Sequence, residues 1–456
     1  MIEHTGREQG DVNLTPRRKL FWQRHLDAQS RQILDQDSQY FLHQALSTPV
    51  LNVIKGASGA ELFDLQGRSY LDMHGNGVHN AGFNNPHVVA AVRRQLEEEL
   101  TFCPRRYTNQ PAIRLAEKLA RLSAPEMSKT LFAPGGSQAI EMALMLARVV
   151  TGKNKTISYW DVYHGTGFGA ASISGEAHFR SHLGPLVPGT YHVEYPHYVR
   201  HPWGQRAQQE VDDLYLRQIE IILERDPEIG ALIAEPVTAM PQIASKYYWQ
   251  RVRQLCDNYG VMLIFDEIIV GLGRSGKMFA YEHYVVPDIL VLGKSLGGGV
   301  APLAAIHTHA KYDVLQDYSI GHFTHEKNPL SAAAGLAEIE YIEENNLVHR
   351  SAEMGDYFLA SIRELQGRHP MVGNADGLGL MLGFELLYEG EKNSRAVDAA
   401  EALLYLAMEK GLAFKCISGN VITLRPALLI SREQIDRAIA ILDASLDEVE
   451  NGNLYQ

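Results

Sequence analysis

Hydrophobic residues are spaced differently in successive parts of the chain, and each change of spacing marks a change of element. From about residue 130 to 300, short continuous apolar runs alternate with helical stretches. In order they are KTLFAP, a helix from Ser137 with Ile140, Ala143, Leu144 and Ala147 on one face, KTISYW, GALIAEP, a helix near 245–259, and then VMLIFD and PDILVLG. A run apolar at every position reads as a strand buried on both faces, and strands alternating with helices predict a doubly wound, mostly parallel α/β domain. Ahead of it, residues 60–75, AELFDLQGRSYLDMHG, alternate around Gln66-Gly67 and predict a β-hairpin. Helices are predicted at about 86–100, with Val89, Val92, Leu96 and Leu100 on one face, and at about 111–122, with Leu115, Leu119 and Leu122. Residues 1–50 are polar, with helical stretches carrying Phe21, Trp22, Tyr40 and Phe41, and are expected to drape over another surface. After about 335 come amphipathic helices and a few strands, ending in a helix with Ile435, Ile439, Leu442 and Leu446 on one face. The predicted organisation is a large domain over 76–335 and a smaller α+β domain built from both chain ends, 1–75 and 336–456.

Composition narrows the partners. The 456 residues are 45% hydrophobic and 21% charged, with a formal net charge of −12. That charge argues against nucleic acid or an anionic membrane as a partner, but not against a small anionic substrate, which meets only the charges of its own site. The polar start MIEHTGREQGDVN predicts no signal peptide, and no apolar run reaches the roughly 18 residues of a membrane span. Cys103, Cys256 and Cys416 are scattered and odd in number, which suits a reducing cytoplasm. His192, His197 and His201 lack carboxylate or cysteine companions at metal spacing and read as loop residues.

The chemistry gathers at strand ends, which in α/β sheets face the ligand crevice. One run ends in Asp266, and the next delivers Lys294 into the glycines 297–299, 28 positions later. A carboxylate and a lysine presented there suit an aldehyde cofactor held as a Schiff base, with an acid partner for its ring nitrogen. Gly135-Gly136-Ser137 lies between a strand and a helix, where free N–H groups and the dipole favour an anion; the plain alternative is a tight turn with a serine cap. Tyr163-His164-Gly165 follows KTISYW at the crevice end, so Tyr163 either stacks on a ring or packs under a loop. Glu235 ends GALIAEP and would add a hydrogen bond, and Ile268 would cover the other ring face or belong to the core. Arginine suits a substrate anion, and Arg105-Arg106 in TFCPRRYTN is a candidate pair; the alternative is a surface charge pair at a helix end.

The Asp266–Lys294 spacing, with GLGRSG between, resembles the class III aminotransferase family of pyridoxal-phosphate (PLP) enzymes over roughly residues 45–446. The resemblance implies fold type I, PLP as cofactor, and a binding set of Gly136, Ser137, Tyr163, His164, Glu235, Asp266, Ile268 and Lys294. PGGSQAIEMAL is similar to the family's phosphate loop. Thr324, four residues before Asn328-Pro329, matches the threonine that reaches the cofactor phosphate of the neighbouring subunit, which implies a homodimer. Arg425 in TLRPALL matches the family's substrate-carboxylate arginine. The chain departs from the family pattern at His325, Glu326 and Lys327, at Ile269 where glutamine is frequent, and at Asp376-Gly377 where Arg-Gly is common. A finer likeness, in YFLHQALSTP, MHGNGVHN, FCPRRYTN, LFAPGGS and GHFTHEKNP, is to a branch associated with phosphonate breakdown, the (R)-2-amino-1-hydroxyethylphosphonate ammonia-lyases. Elimination and transamination need the same residues, so an ω-aminotransferase stays open beside the lyase. A non-catalytic binder has no use for an electron sink, and Lys294, Asp266 and Tyr163 together argue against it.

Overall fold

The computed structural model describes residues 15–44, 47–98, 100–199, 201–239, 241–388 and 394–455. The expectation about a leader peptide falls on residues 1–14 and lies outside the described residues. The chain forms two compact units, one of 76–81 with 85–352, the other of 1–75, 82–84 and 353–456. The helix Pro329–Glu344, which the expected boundary near 335 would cut, lies wholly in the larger unit.

The larger unit is built on a seven-stranded sheet, in the order Met127–Ala133, Ala304–His309, Ile289–Leu292, Met262–Asp266, Ile229–Ala234, Lys155–Tyr159, Thr190–Val193. All neighbours are parallel except Ala304–His309, which runs antiparallel to both of its own. The three central strands are buried at every position, which is why they read as unbroken apolar runs. On one face the helix Gly136–Thr151 sets Ile140, Ala143, Leu144 and Ala147 in a cluster with Ile233, Ile264, Val291 and Ile306. The helix Lys246–Tyr259 is stopped by Gly260 at φ 60°, a left-handed position natural to glycine.

Two expectations need correction here, and one strand was not expected. The antiparallel strand Ala304–His309 has no continuous apolar run to announce it. Its His307 is 0% exposed because Thr130 Oγ1, Ser123 Oγ and the Met127 carbonyl meet its ring nitrogens. The helix Pro86–Glu98 buries Val88, Ala91 and Gln95, while Leu96 and Leu100 of the expected face are exposed. The reason is its partner: Val88 and Ala91 pack on Ala334 and Ala337 of Pro329–Glu344, where small side chains let the helices approach. His192 also belongs to the edge strand Thr190–Val193, stacked on Trp160, and not to a loop.

The other unit joins the chain ends. The hairpin Glu61–Asp64/Ser69–Asp72 forms as expected, and Leu412–Ala413 adds to it in parallel through Leu412↔Leu71. A second, antiparallel sheet holds Val372–Leu378, Met381–Leu386, Val421–Leu424 and Lys415–Ile417. Near the N-terminus, Phe21 is buried beside Tyr405, whereas Tyr40 and Phe41 are exposed. In the C-terminal helix, Ile435, Leu442 and Leu446 are buried. No helix among the described residues is long and apolar enough to cross a membrane.

One ionic clamp in this unit sets a pH dependence. His369, 2% exposed, meets Asp443 Oδ1 at 2.8 Å through Nε2 and Glu450 Oε2 at 3.0 Å through Nδ1. Burial works against its charge, but the bonds to Glu450 and Asp443 outweigh burial and raise its pKa. Its contribution is therefore complete below the unfolded value of about 6.5 and is lost as pH rises through the higher folded value. His369→Gln should cost about 1.5–3 kcal/mol under mildly acidic conditions. Thermal unfolding across the pH range checks this: a gap between variant and parent that fails to narrow towards alkaline pH removes the imidazolium as its source.

Candidate active site

The strand Met127–Ala133 turns through Gly135-Gly136 directly into the helix Gly136–Thr151. Gly135 is the N-cap and makes no side-chain capping bond, so the first-turn amides face outward with the positive end of the helix dipole. Ser137 is not the cap of the plain reading; its Oγ accepts from the Thr166 amide at 3.2 Å. Gly136 and Ile268 meet closely, since a Cβ at Gly136 would stand 2.9 Å from Ile268 Cδ1 and would make that side chain shift.

Asp266 ends its strand 3% exposed. Its Oδ1 accepts from the Ile268 amide at 3.1 Å and its Oδ2 faces His164 Nδ1 at 2.7 Å. His164 is 2% exposed, with its own amide held by Ser174 Oγ at 2.9 Å and its buried Nε2 without a hydrogen-bond partner among the described residues. Beside a carboxylate, Nδ1 carries the proton. Glu235 ties down the rest of the wall, Oε1 accepting from the Tyr163 amide at 3.1 Å and Oε2 from the Ala239 amide at 2.8 Å. Burial raises the Glu235 pKa to about 7, against the pull of His164. Tyr163 is 36% exposed and rests on Phe179, ring centroids 4.4 Å apart; its pKa is raised by burial, then by Glu176 and Asp266. Lys294 opens the short turn Lys294–Gly297 with φ 48°, a left-handed conformation uncommon for a residue with a side chain.

Gly136, Ser137, Tyr163, His164, Glu235, Asp266, Ile268 and Lys294 all line one cavity of about 290 Å³ in the larger unit. Sequence reasoning missed Gly165, Ala239 and Ile269 on its wall and Ser174 behind it. Ser174 carries no motif, whereas Gly165 stood beside residues already singled out.

The remaining candidates lie elsewhere. Arg105 and Arg106 are exposed in a turn, with Arg105 Nη1 against His322 Nε2 beside a separate cavity of about 420 Å³. Thr324 is exposed in a turn and does not line the first cavity. Arg425 belongs to the other unit, 3% exposed, with Nη2 donating to Thr423 Oγ1 at 3.2 Å and its amide to the Met73 carbonyl.

Residues 43–446 match the family described as Aminotransferase class-III. The chain is 40% identical over 460 residues to an (R)-1-hydroxy-2-aminoethylphosphonate ammonia-lyase of Vibrio splendidus (strain 12B01), covering 97% of this chain and 95% of that one. It is 33% identical to an isoleucine 2-epimerase of Lentilactobacillus buchneri, over 94% and 97% of the two chains. Among solved structures, an ω-transaminase from Pseudomonas jessenii in complex with PMP superposes with a TM-score of 0.87 at 26% identity, covering 92% and 99%. The cavity suits PLP on its own chemistry: an anion seat at Gly136, a buried carboxylate at Asp266 and a lysine share one wall. The chain belongs to the class III aminotransferase family and is a PLP-dependent enzyme.

Proposed function

We propose that the chain is an ammonia-lyase converting 2-amino-1-hydroxyethylphosphonate to phosphonoacetaldehyde and ammonia, in the breakdown of phosphonates. The observation that carries this reading is the 40% identity to an ammonia-lyase of that kind over nearly the whole of both chains. PLP supplies an electron sink when bound. The amides at Gly136 and Ser137 would bind its phosphate, while Tyr163 and Ile268 would flank its ring. Asp266, oriented by the Ile268 amide and His164, would hold a proton on the ring nitrogen. Lys294 Nζ would remove a proton from the carbon bearing the amine. Hydroxide then leaves from the neighbouring carbon, and the enamine released takes up water to give the aldehyde and ammonia. The phosphonate would be held by Arg105, Arg106 or Arg425.

Elimination consumes no second substrate, whereas transamination needs a keto acid as amino acceptor for every further turnover. We therefore expect ammonia to be released over many turnovers with no keto acid present. Release that stops at one equivalent per site and resumes with pyruvate or 2-oxoglutarate would instead support an ω-aminotransferase, the reading favoured by the structural likeness to transaminases.

A homodimer with shared sites is part of the same proposal. It is supported by the exposure of Thr324 and by the exposed apolar residues Leu96, Leu100, Phe102, Tyr107 and Ile113. Thr324→Ala should weaken PLP retention, and a fully active monomer in solution would count against the arrangement. A cytoplasmic setting suits Cys103, Cys256 and Cys416, which are buried and form no disulfide among the described residues.

A further inference from the structure

Behind Lys294 lies a buried polar cluster that none of the roles above uses. Glu338 sits on Pro329–Glu344, 1% exposed, on a helix that otherwise buries mainly alanine, leucine and isoleucine. Its Oε1 accepts from both Ser295 Oγ at 2.8 Å and the Ala81 amide at 3.0 Å. Burial raises its pKa to about 7, against the Ser295 and Ala81 bonds and the positive charge of Arg274. Arg274 is itself 0% exposed and donates from Nη2 to Asn80 Oδ1 at 2.7 Å. Asn80 in turn donates to the Gly271 and Leu272 carbonyls at 3.3 and 2.9 Å. A buried carboxylate is costly, and here two donors on Oε1 and the positive charge of Arg274 offset part of that cost.

What Glu338 holds matters more than how it is held. Ser295 follows Lys294, whose φ of 48° must be imposed by its surroundings. The helix is seated on that turn, for a Cβ at Gly335 would stand 2.3 Å from the Leu296 carbonyl oxygen. Ala81 ends the segment 76–81, and the Lys294 side chain passes over Gly77 in that segment. A Cβ on Gly77 would stand 3.3 Å from Lys294 Cδ. One carboxylate oxygen thus restrains both the backbone that carries Lys294 and the surface beneath its methylene chain. We propose that Glu338 is a positioning residue that fixes the line along which Lys294 reaches into the cavity. The inference rests on the reading of Lys294 given above.

The test compares Glu338→Ala with Glu338→Gln and Ser295→Ala as holoenzymes. Alanine at 338 removes the oxygen that accepts from Ser295 and Ala81, whereas glutamine keeps a neutral carbonyl oxygen able to accept from both. Alanine at 295 removes the hydroxyl and leaves the Ala81 bond to Glu338 intact. A misaligned reacting group costs up to about a hundredfold. We therefore expect Glu338→Ala to lower kcat per PLP-loaded site by about 10- to 100-fold, with KM changed less than about threefold, and Glu338→Gln to recover most of that loss. Borohydride reduction of the cofactor onto Lys294 should slow in parallel, and Ser295→Ala should shift both in the same direction by a smaller factor. A purely structural role would lower the unfolding temperature or PLP content and leave both readouts per loaded site within about twofold of the parent, and that result overturns the proposal. Lys294→Ala serves as the control. If it keeps the visible cofactor band and is reduced at another residue, the assignment of Lys294 fails, and this proposal with it.

Discussion

Replacing Lys294 with alanine is expected to abolish the visible band of the PLP-loaded protein and to lower turnover by about a thousandfold or more. Two roles disappear together. The amine is the nucleophile that would join the cofactor aldehyde, and once freed it is the general base that would move the substrate proton. General base catalysis alone is worth about 10²- to 10⁴-fold, and a thousandfold loss corresponds to about 4 kcal/mol. The cofactor should still bind, because the anion seat at Gly136–Ser137 and the carboxylate of Asp266 do not depend on the lysine. A small primary amine added to the buffer should restore part of the lost rate. Absorbance spectra and ammonia release check these outcomes. Turnover within tenfold of the parent would mean that another group moves the proton.

Asp266→Asn should lower turnover about a hundredfold or more while PLP remains bound. The carboxylate is 3% exposed, and its two oxygens meet two different donors, the Ile268 amide at 3.1 Å and His164 Nδ1 at 2.7 Å. Asparagine has one carbonyl oxygen for those two donors, so its NH₂ group must face one of them or His164 must move its proton to Nε2. The larger loss is electrostatic. Without a negative charge the ring nitrogen would no longer stay protonated, and each lost unit of pKa matching is worth about 1.4 kcal/mol. The carbanion feels that loss more than the ground state does, so kcat should fall more than cofactor affinity. Near-normal kcat with full PLP content would refute the electron-sink role of Asp266.

What the sequence could determine was whatever leaves a local signature. Met262–Asp266 and Ile289–Leu292 are covered on both faces, so every position before Asp266 is apolar and the strand is legible without its neighbours. Because strand ends in such sheets converge on one crevice, Asp266, Glu235, Tyr163 and Lys294 could be gathered on paper, and one cavity holds them. Only tertiary structure could decide features whose partners are remote in the chain. Ala304–His309 pairs with strands on both sides, and its His307, which on paper reads as polar, can be buried because hydroxyls at Ser123 and Thr130 meet its ring nitrogens. The buried stripe of Pro86–Glu98 runs through Val88, Ala91 and Gln95, and its direction is chosen by the alanines of a helix some 240 residues later. Arg105 and Arg425, equal candidates on paper, fall in different units. Glu338 looked like one more charge on a helix, yet it is buried because Arg274, Ser295 and Ala81 surround it. Hydrophobic periodicity reports which face of an element is covered. Whether a polar group can be covered as well depends on a donor or countercharge brought from elsewhere in the chain, and only the fold supplies that.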